Sequence, residues 1–342
     1  MRRIYHKAMV LTGLVMLLLS FGAGSLAAAD IPDELKALKP KDFPQKPIEL
    51  MVMYPAGGGM DVTARILAKH LEKYVGTKVI VVNKTGGGGM VGHTYLTTVA
   101  KPDGYTLGVL CDVIISNDLL RANGKWSYTD LIPLAFINFT PITWIVRTDS
   151  EFGNYSAEQL LAYAKENPDQ LDISTMKDIF FDFLNLKLQL TADVKFNMIP
   201  YQGGAAAVTA LLGGHLDVAN AFLGEFKSHL EAGKVRAVAV SDKQRYVFLP
   251  EVPTFNEILG VDDIMFGAYR WITYPKGLDM ERARFLEAAI QMALRDPAVI
   301  KDYNNAGIDV GTRYLTGAET AAEVAEIYEN YKKLFKDIGR IK

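Results

Sequence analysis

A single cysteine, Cys111, occurs in 342 residues, so an internal disulfide is excluded and the residue reads as a small buried hydrophobe. Histidine is almost as scarce. His6, His70, His93, His215 and His229 form no H-E-x-x-H and no Cys/His cluster, which leaves a metal site without support. Neither sign of charge dominates. A formal net charge of −2 carries no nucleic-acid footprint. There is no G-x-S-x-G elbow, and no acid, base and nucleophile to which catalytic roles can be assigned. Internal repeats and low-complexity tracts are also missing. The apolar stretch from Ala8 to Leu19 is shorter than the roughly 20 residues that span a bilayer.

That short stretch has another meaning. Arg2, Arg3 and Lys7 precede it, and small residues follow it down to Ala27-Ala28-Ala29. A basic start, an apolar core and an A-x-A end make a secretory signal peptide, residues 1–29, cut after Ala29. No cysteine lies near the cut, so a lipid anchor is not expected. Removing 1–29 takes away three basic residues and no acidic one, leaving 34 against 39, a net −5. The product is expected to be soluble and periplasmic.

The mature chain has ordinary globular composition, 49% hydrophobic and 22% charged. Residues 30–46 read as an arm. Strands and helices then alternate. IELMVMY, KVIVVNK and YTLGVLC (105–111) read as strands, with an amphipathic helix from Asp61 to Tyr74 after the first and a helix ending before PDG (102–104) after the second. This alternation predicts a parallel sheet with right-handed crossovers. A second such series follows: LDIST (171–175), FNMIPY (196–201), DVANAF (217–222) and VRAVAVS (235–241). Ser156 and Gln159 form a capping box that opens a helix. Two long apolar runs, 135–147 and 266–275, can cross between two α/β lobes and leave a cleft between them. Helices near Asp279–Arg295 and Ala318–Ile338 finish the chain.

Two glycine runs stand where helices begin, Gly57-Gly58-Gly59 and Gly86-Gly87-Gly88-Gly89. Glycine is used where φ must be positive or where something approaches the backbone closely. The second run fits G-x-G-x-x-G through Gly92, with Asp112 twenty residues further on, as a dinucleotide site requires. The first run fails that pattern, and an exported protein seldom meets nicotinamide cofactors. A phosphate-binding loop needs a Lys-Ser/Thr pair that neither run has. The third reading is a carboxylate held by free N–H groups at helix N-termini. The strand-to-helix junctions at 55–61, 85–92, 174–178 and 201–205 suit it. Plain tight turns remain the bland alternative, although two runs at equivalent junctions shift the balance toward a site.

The segments Tyr54–Arg65, VIVVNKTGGGGMVG, KPDGYTL, VRTDS (146–150), AYAKENP (162–168), IPYQGGAAAVTALLGGHLDVA (199–219), EAGKVRAVAVS (231–241), LPEVPTFNEI (249–258) and YPKGL (274–278) fall in one order across nearly the whole mature chain. In that order the chain resembles the solute receptors of tripartite tricarboxylate transporters, the Bug receptors. The resemblance implies an α/β, two-lobed periplasmic binding protein fold of type II with two crossing hinge strands. It implies lobe 1 over 44–143 and 269–342 and lobe 2 over 144–268. It also implies an exported, non-enzymatic receptor that needs no cofactor, closes on a small organic acid and delivers it to membrane permease subunits. The resemblance further implies that one carboxylate is met by Ala56, Gly57, Gly58 and Gly59 with Asp61, and by Thr85, Gly86, Gly87, Gly88 and Gly89. Ser174, Thr175, Tyr201, Gly203 and Gly204 then close on the rest of the ligand. One departure stands out: STMKDIFF (174–181) replaces the family's Gly/Ser-rich loop. The competing function is an exported enzyme acting on a carboxylate in the same cleft.

Three further residues are weighed individually. Asp61 suits a helix cap paired with Arg65 better than a carboxylate contact, because like charges repel. Asp112 ends the third strand, where α/β folds meet ligands, and is a candidate contact for an amine or hydroxyl. Arg270, inside an apolar run, is read as half of a structural ion pair in preference to a carboxylate clamp.

Overall fold

The computed structural model describes residues 31–310 and 313–342. The expected signal peptide lies outside the described residues. Among those described, no helix is long and apolar enough to cross a membrane.

The arm is docked rather than loose. It carries a short helix, α1 (Asp33–Lys36), and its Phe43 is fully buried against Tyr105 and Phe285. The first lobe then runs β1 (Ile48–Val52), α2 (Gly59–Val75), β2 (Val79–Asn83), α3 (Met90–Thr98), β3 (Thr106–Cys111), α4 (Val113–Arg121) and β4 (Leu131–Pro141). The amphipathic helix read from sequence buries Ala64, Leu67, Ala68, Leu71 and Val75 on one face, as its spacing requires. It starts two residues earlier than the apolar pattern indicates, at Gly59. The helix α4 was not legible beforehand.

The second lobe runs β5 (Thr143–Arg147), α5 (Ala157–Glu166), β6 (Asp172–Thr175), α6 (Phe180–Ala192), β7 (Asn197–Pro200), α7 (Gly204–Leu212), β8 (Ala219–Ala221), α8 (Leu223–Glu231), β9 (Val235–Val240) and α9 (Phe255–Leu259). The capping box at Ser156 and Gln159 is present at the start of α5. The chain returns to the first lobe as β10 (Gly267–Pro275) and finishes with α10 (Met280–Leu294), α11 (Pro297–Asn305) and α12 (Gly317–Asp337). Of the last three helices, α11 is the one the sequence reading missed.

The first sheet has the order β2-β1-β3-β10-β4. Its β1 is parallel to β2 and β3, while β10 lies antiparallel between β3 and β4. In the second lobe β6 and β7 are parallel, β5 is antiparallel between β8 and β9, and a parallel bridge from Ile173 to Val218 joins the two sets. Read across that bridge, the order is β7-β6-β8-β5-β9, the same plan as the first sheet. In each lobe the antiparallel strand is supplied by chain arriving from the other.

The long run at 135–147 does cross, and it breaks at Ile142 between β4 and β5. The return crossing is different. The whole of β10 belongs to the first sheet, so the chain passes over before it, at Ser241 and Phe266. These three residues are tied together. Ser241 N–H donates to the Ile142 carbonyl (2.9 Å), Phe266 N–H donates to the Ser241 carbonyl (3.1 Å), and Ile142 N–H donates to the Ser241 hydroxyl (2.9 Å) and the Phe266 carbonyl (3.2 Å). The Ser241 hydroxyl donates in turn to Phe266. Ser241 is fully buried.

Gly92 shows what the second glycine-rich segment requires of packing. A Cβ there would stand 2.6 Å from Met53 Cγ and 2.8 Å from the Lys84 carbonyl oxygen, and the latter is backbone that cannot swing aside. Gly92→Ala is therefore expected to destabilise the chain by about 1–3 kcal/mol through overpacking. Urea unfolding reads this directly, and an unshifted midpoint would refute the packing argument.

Candidate functional site

The helices α2, α3 and α4 all begin at carboxyl ends of parallel strands in the first lobe, and α6, α7 and α8 do so in the second. Contacts between these ends define the cleft. Arg121 at the end of α4 donates to the Gly87 carbonyl (3.3 Å) and to Asp178 across the cleft (2.8 Å). Arg340, after α12, pairs with the same Asp178 and reaches Asp182 at 3.0 Å. Arg270 of β10 lies with its guanidinium 5.7 Å from the centre of the Phe222 ring at the start of α8.

The first glycine run is held by Asp61. Its carboxylate accepts from Gly57 N–H (2.9 Å), Arg65 Nε (2.8 Å) and Asn83 Nδ2 (2.9 Å). Burial alone would push this acid up, but those three bonds hold it below the ordinary carboxylate value. Asp61 therefore shapes the loop and is 2% exposed. The pairing with Arg65 is as the i, i+4 spacing predicts. Ala56, Gly57, Gly58 and Gly59 are exposed at the rim. Only Gly57 of the three glycines has positive φ, +82°. Gly59 lies beside Arg270, and a Cβ there would meet Arg270 Nη2 at 3.5 Å, an ordinary contact.

The second run is bare for a different reason. Gly86, Gly87, Gly88 and Gly89 all have positive φ, from +59° to +134°. This is the backbone that L side chains avoid. Asn117 of α4 pins the turn. Its Nδ2 donates to the Gly88 carbonyl (2.9 Å) and lies 3.1 Å from His93 Nδ1. Burial pulls His93 down to about 3, so the ring is neutral and accepts from Asn117. Thr85 and Gly86 to Gly88 are exposed, while Gly89 is buried beside the Tyr54 hydroxyl.

Opposite them, Ser174 and Thr175 are buried and engaged. Ser174 Oγ accepts from Asn220 N–H (2.8 Å), and Thr175 Oγ1 donates to Asp182 (3.3 Å). Tyr201 and Gly203 are partly exposed, and Gly204 is buried against Glu225. The departing loop is both core and latch. Phe180 and Phe181 pack on each other and on Phe222, while Asp178, at φ +63°, carries the two arginines.

Asp112 lies at the start of α4 with its carboxylate taking the Tyr331 hydroxyl. Burial pushes it up to about 7. Beside it, burial pushes the Cys111 thiol up to about 12, which keeps the sulfur out of its nucleophilic thiolate form. The expectation for Arg270 needs correction. No ion pair within 4.0 Å among the described residues includes it. Its Nη1 donates to Thr140 Oγ1 (2.7 Å) and reaches Asn138 Oδ1 (3.4 Å), and its Nε faces Met60 Sδ (3.2 Å). The apolar run that hid its role is β10, whose residues are all buried whether they face core or cleft. Phe222, Thr140 and Asn138 were likewise missed, because they belong to the cleft only through Arg270. A cavity of about 930 Å³, lined among others by Asn138, Lys187, Tyr246, Arg313 and Tyr331, involves none of the glycine loops.

Residues 63–339 match the family described as tripartite tricarboxylate transporter family receptor. The chain is similar to protein BugT of Bordetella pertussis, at 30% identity over 267 residues, 76% of this chain and 80% of that one. Among solved structures it resembles a TctC solute-binding protein from Polaromonas (29% identity, TM-score 0.72, covering 86% of this chain and 99% of that one). It also resembles the periplasmic binding protein BugD (28% identity, TM-score 0.74, covering 88% and 100%).

Asp112 supplies a test of the site's electrostatics. Its carboxyl rises from 3.8 to about 7 on folding. Between those values the folded chain keeps a proton that the unfolded chain has released. This group's contribution to stability therefore falls as pH rises through that window, by up to about 1.4 kcal/mol per unit, and is flat above it. Asp112→Asn is expected to remove that slope from urea-unfolding profiles between pH 4 and 8. An unchanged slope would place the titration elsewhere.

Proposed function

The chain belongs to the tripartite tricarboxylate transporter receptor family, and from this we propose that it is an exported receptor whose two lobes close on a small organic acid and present it to the transporter's membrane subunits. Its solved relatives are binding proteins, BugD a periplasmic one. The observation that carries the reading is the pair of glycine loops at the carboxyl ends of β1 and β2, facing the starts of α6 and α8 across a cleft.

In this proposal the N–H groups at the start of α2, which have no intrahelical acceptor, and the Gly86–Gly89 turn receive a carboxylate. Ser174, Thr175, Tyr201 and Gly203 stand on the closing side. The lobes divide near residues 143 and 266, a division supported by the hydrogen-bonded crossing at Ile142, Ser241 and Phe266, with the return placed before β10 and not at 268. Closure is a hinge motion about that crossing, and ligand shifts the population toward the closed form.

Purified mature protein should be titrated with mono-, di- and tricarboxylates and NAD, following tryptophan fluorescence and melting temperature. Saturation by one class of acid without turnover is expected. Chemical conversion of the acid would favour the exported-enzyme reading, and saturation by NAD alone would overturn both. The latch gives a second check. Asp178→Asn keeps a residue type that tolerates positive φ but loses both ion pairs. It is expected to weaken binding of that acid several-fold, with a smaller salt dependence. Unaltered affinity in a titration over salt concentration would show that the latch does not bias closure.

A further inference from the structure

Arg270 is 3% exposed, yet no carboxylate of the described residues pairs with it. Its Nη1 and Nε are occupied by Thr140, Asn138 and Met60, and Nη2 makes no hydrogen bond with any described residue. That free edge lies over Gly59, in the first turn of α2, 3.5 Å from where a Cβ would stand. Two buried acids, Asp112 and Glu225, act on Arg270 electrostatically but neither comes within 4.0 Å of it. Asp112 takes the Tyr331 hydroxyl, and Glu225 caps its own helix by accepting from Phe222 N–H at 2.8 Å. The Phe222 ring covers the guanidinium from the second lobe.

A guanidinium withdrawn from water with no carboxylate in direct contact is costly, and the cost is recovered when an anion arrives with good geometry. The start of α2 favours an anion at the same point, through its unsatisfied N–H groups and the helix dipole. Two independent sources of positive potential therefore converge above Gly59. Guanidinium and carboxylate are also matched for paired hydrogen bonds.

We propose that Arg270 is the direct ion-pair partner of the ligand's carboxylate, which it meets over Gly59 together with the α2 N-terminus. This rests on the carboxylate-receptor reading and sharpens it. The preferred ligands are acids with an unhindered, fully ionised carboxylate, and their neutral amides are rejected. The geometry also explains why closure matters, since Phe222 seals the pair from water only when the lobes meet.

The test compares wild type, Arg270→Met and Arg270→Lys, each titrated with succinate, adipate, citrate and benzoate, and with succinamide as the neutral control, at constant ionic strength. Wild type is expected to saturate with at least one acid and not with the amide. Arg270→Met is expected to lose about 100-fold or more in affinity for that acid, while its unliganded form melts no lower than wild type because a buried unpaired charge has gone. Arg270→Lys, a point charge without the planar fork, is expected to lose about tenfold or more at an unchanged melting temperature. If the Met variant binds within threefold of wild type, the proposal is overturned while the receptor reading stands. If the Met variant does not fold, the Lys variant decides, and wild-type affinity there overturns the proposal. If wild type binds none of the acids, the carboxylate reading falls and this proposal falls with it.

Discussion

The chain's two crossings between the lobes meet in one small knot of backbone. Ile142, Ser241 and Phe266 lie where the chain changes lobe, and each satisfies its polar groups on the other two. Buried N–H and C=O groups must be paired, and here the pairing is possible only if the crossing segments run side by side. The knot therefore sets the separation of the two sheets and the direction in which they can swing. The cleft, the facing helix starts and the placement of Arg270 opposite Phe222 all follow from that one arrangement.

Most of the fold was legible because burial has a period. The strands of both lobes, the amphipathic face of α2 and the capping box of α5 each declare themselves through short-range patterns. What escaped was short or lacked contrast: α9 is brief, α4 follows the apolar β3 with only Asp112 between them, and α11 follows α10 after a break of two residues. The second crossing was placed inside the run at 266–275, because a fully buried strand reads the same wherever its neighbours lie. Pattern marks a buried strand but not the lobe that buries it.

The site divides in the same way. Both glycine runs were visible, but their causes differ and the sequence does not separate them. One run is bare because its backbone turns left-handed at four successive residues. The other turns left-handed only at Gly57 and ends beside an arginine more than two hundred positions away in the chain. Asp61 and Arg65 were readable since four residues on a helix is one turn. Arg270 was misread because an ion-pair partner is a fact of tertiary structure, and a charge in an apolar strand is ordinarily neutralised nearby.

The shared strand order of the two sheets bears on how such a chain comes to be folded. The gap between β3 and β4 is filled by β10, which follows the entire second lobe. Sheets closed by contacts this distant in sequence form slowly, because the intervening loop must be ordered before the contacts repay it. A chain emerging N-terminus first cannot complete its first lobe until nearly all of it has emerged. The compact state of the first lobe is thereby tied to the return of the chain from the second.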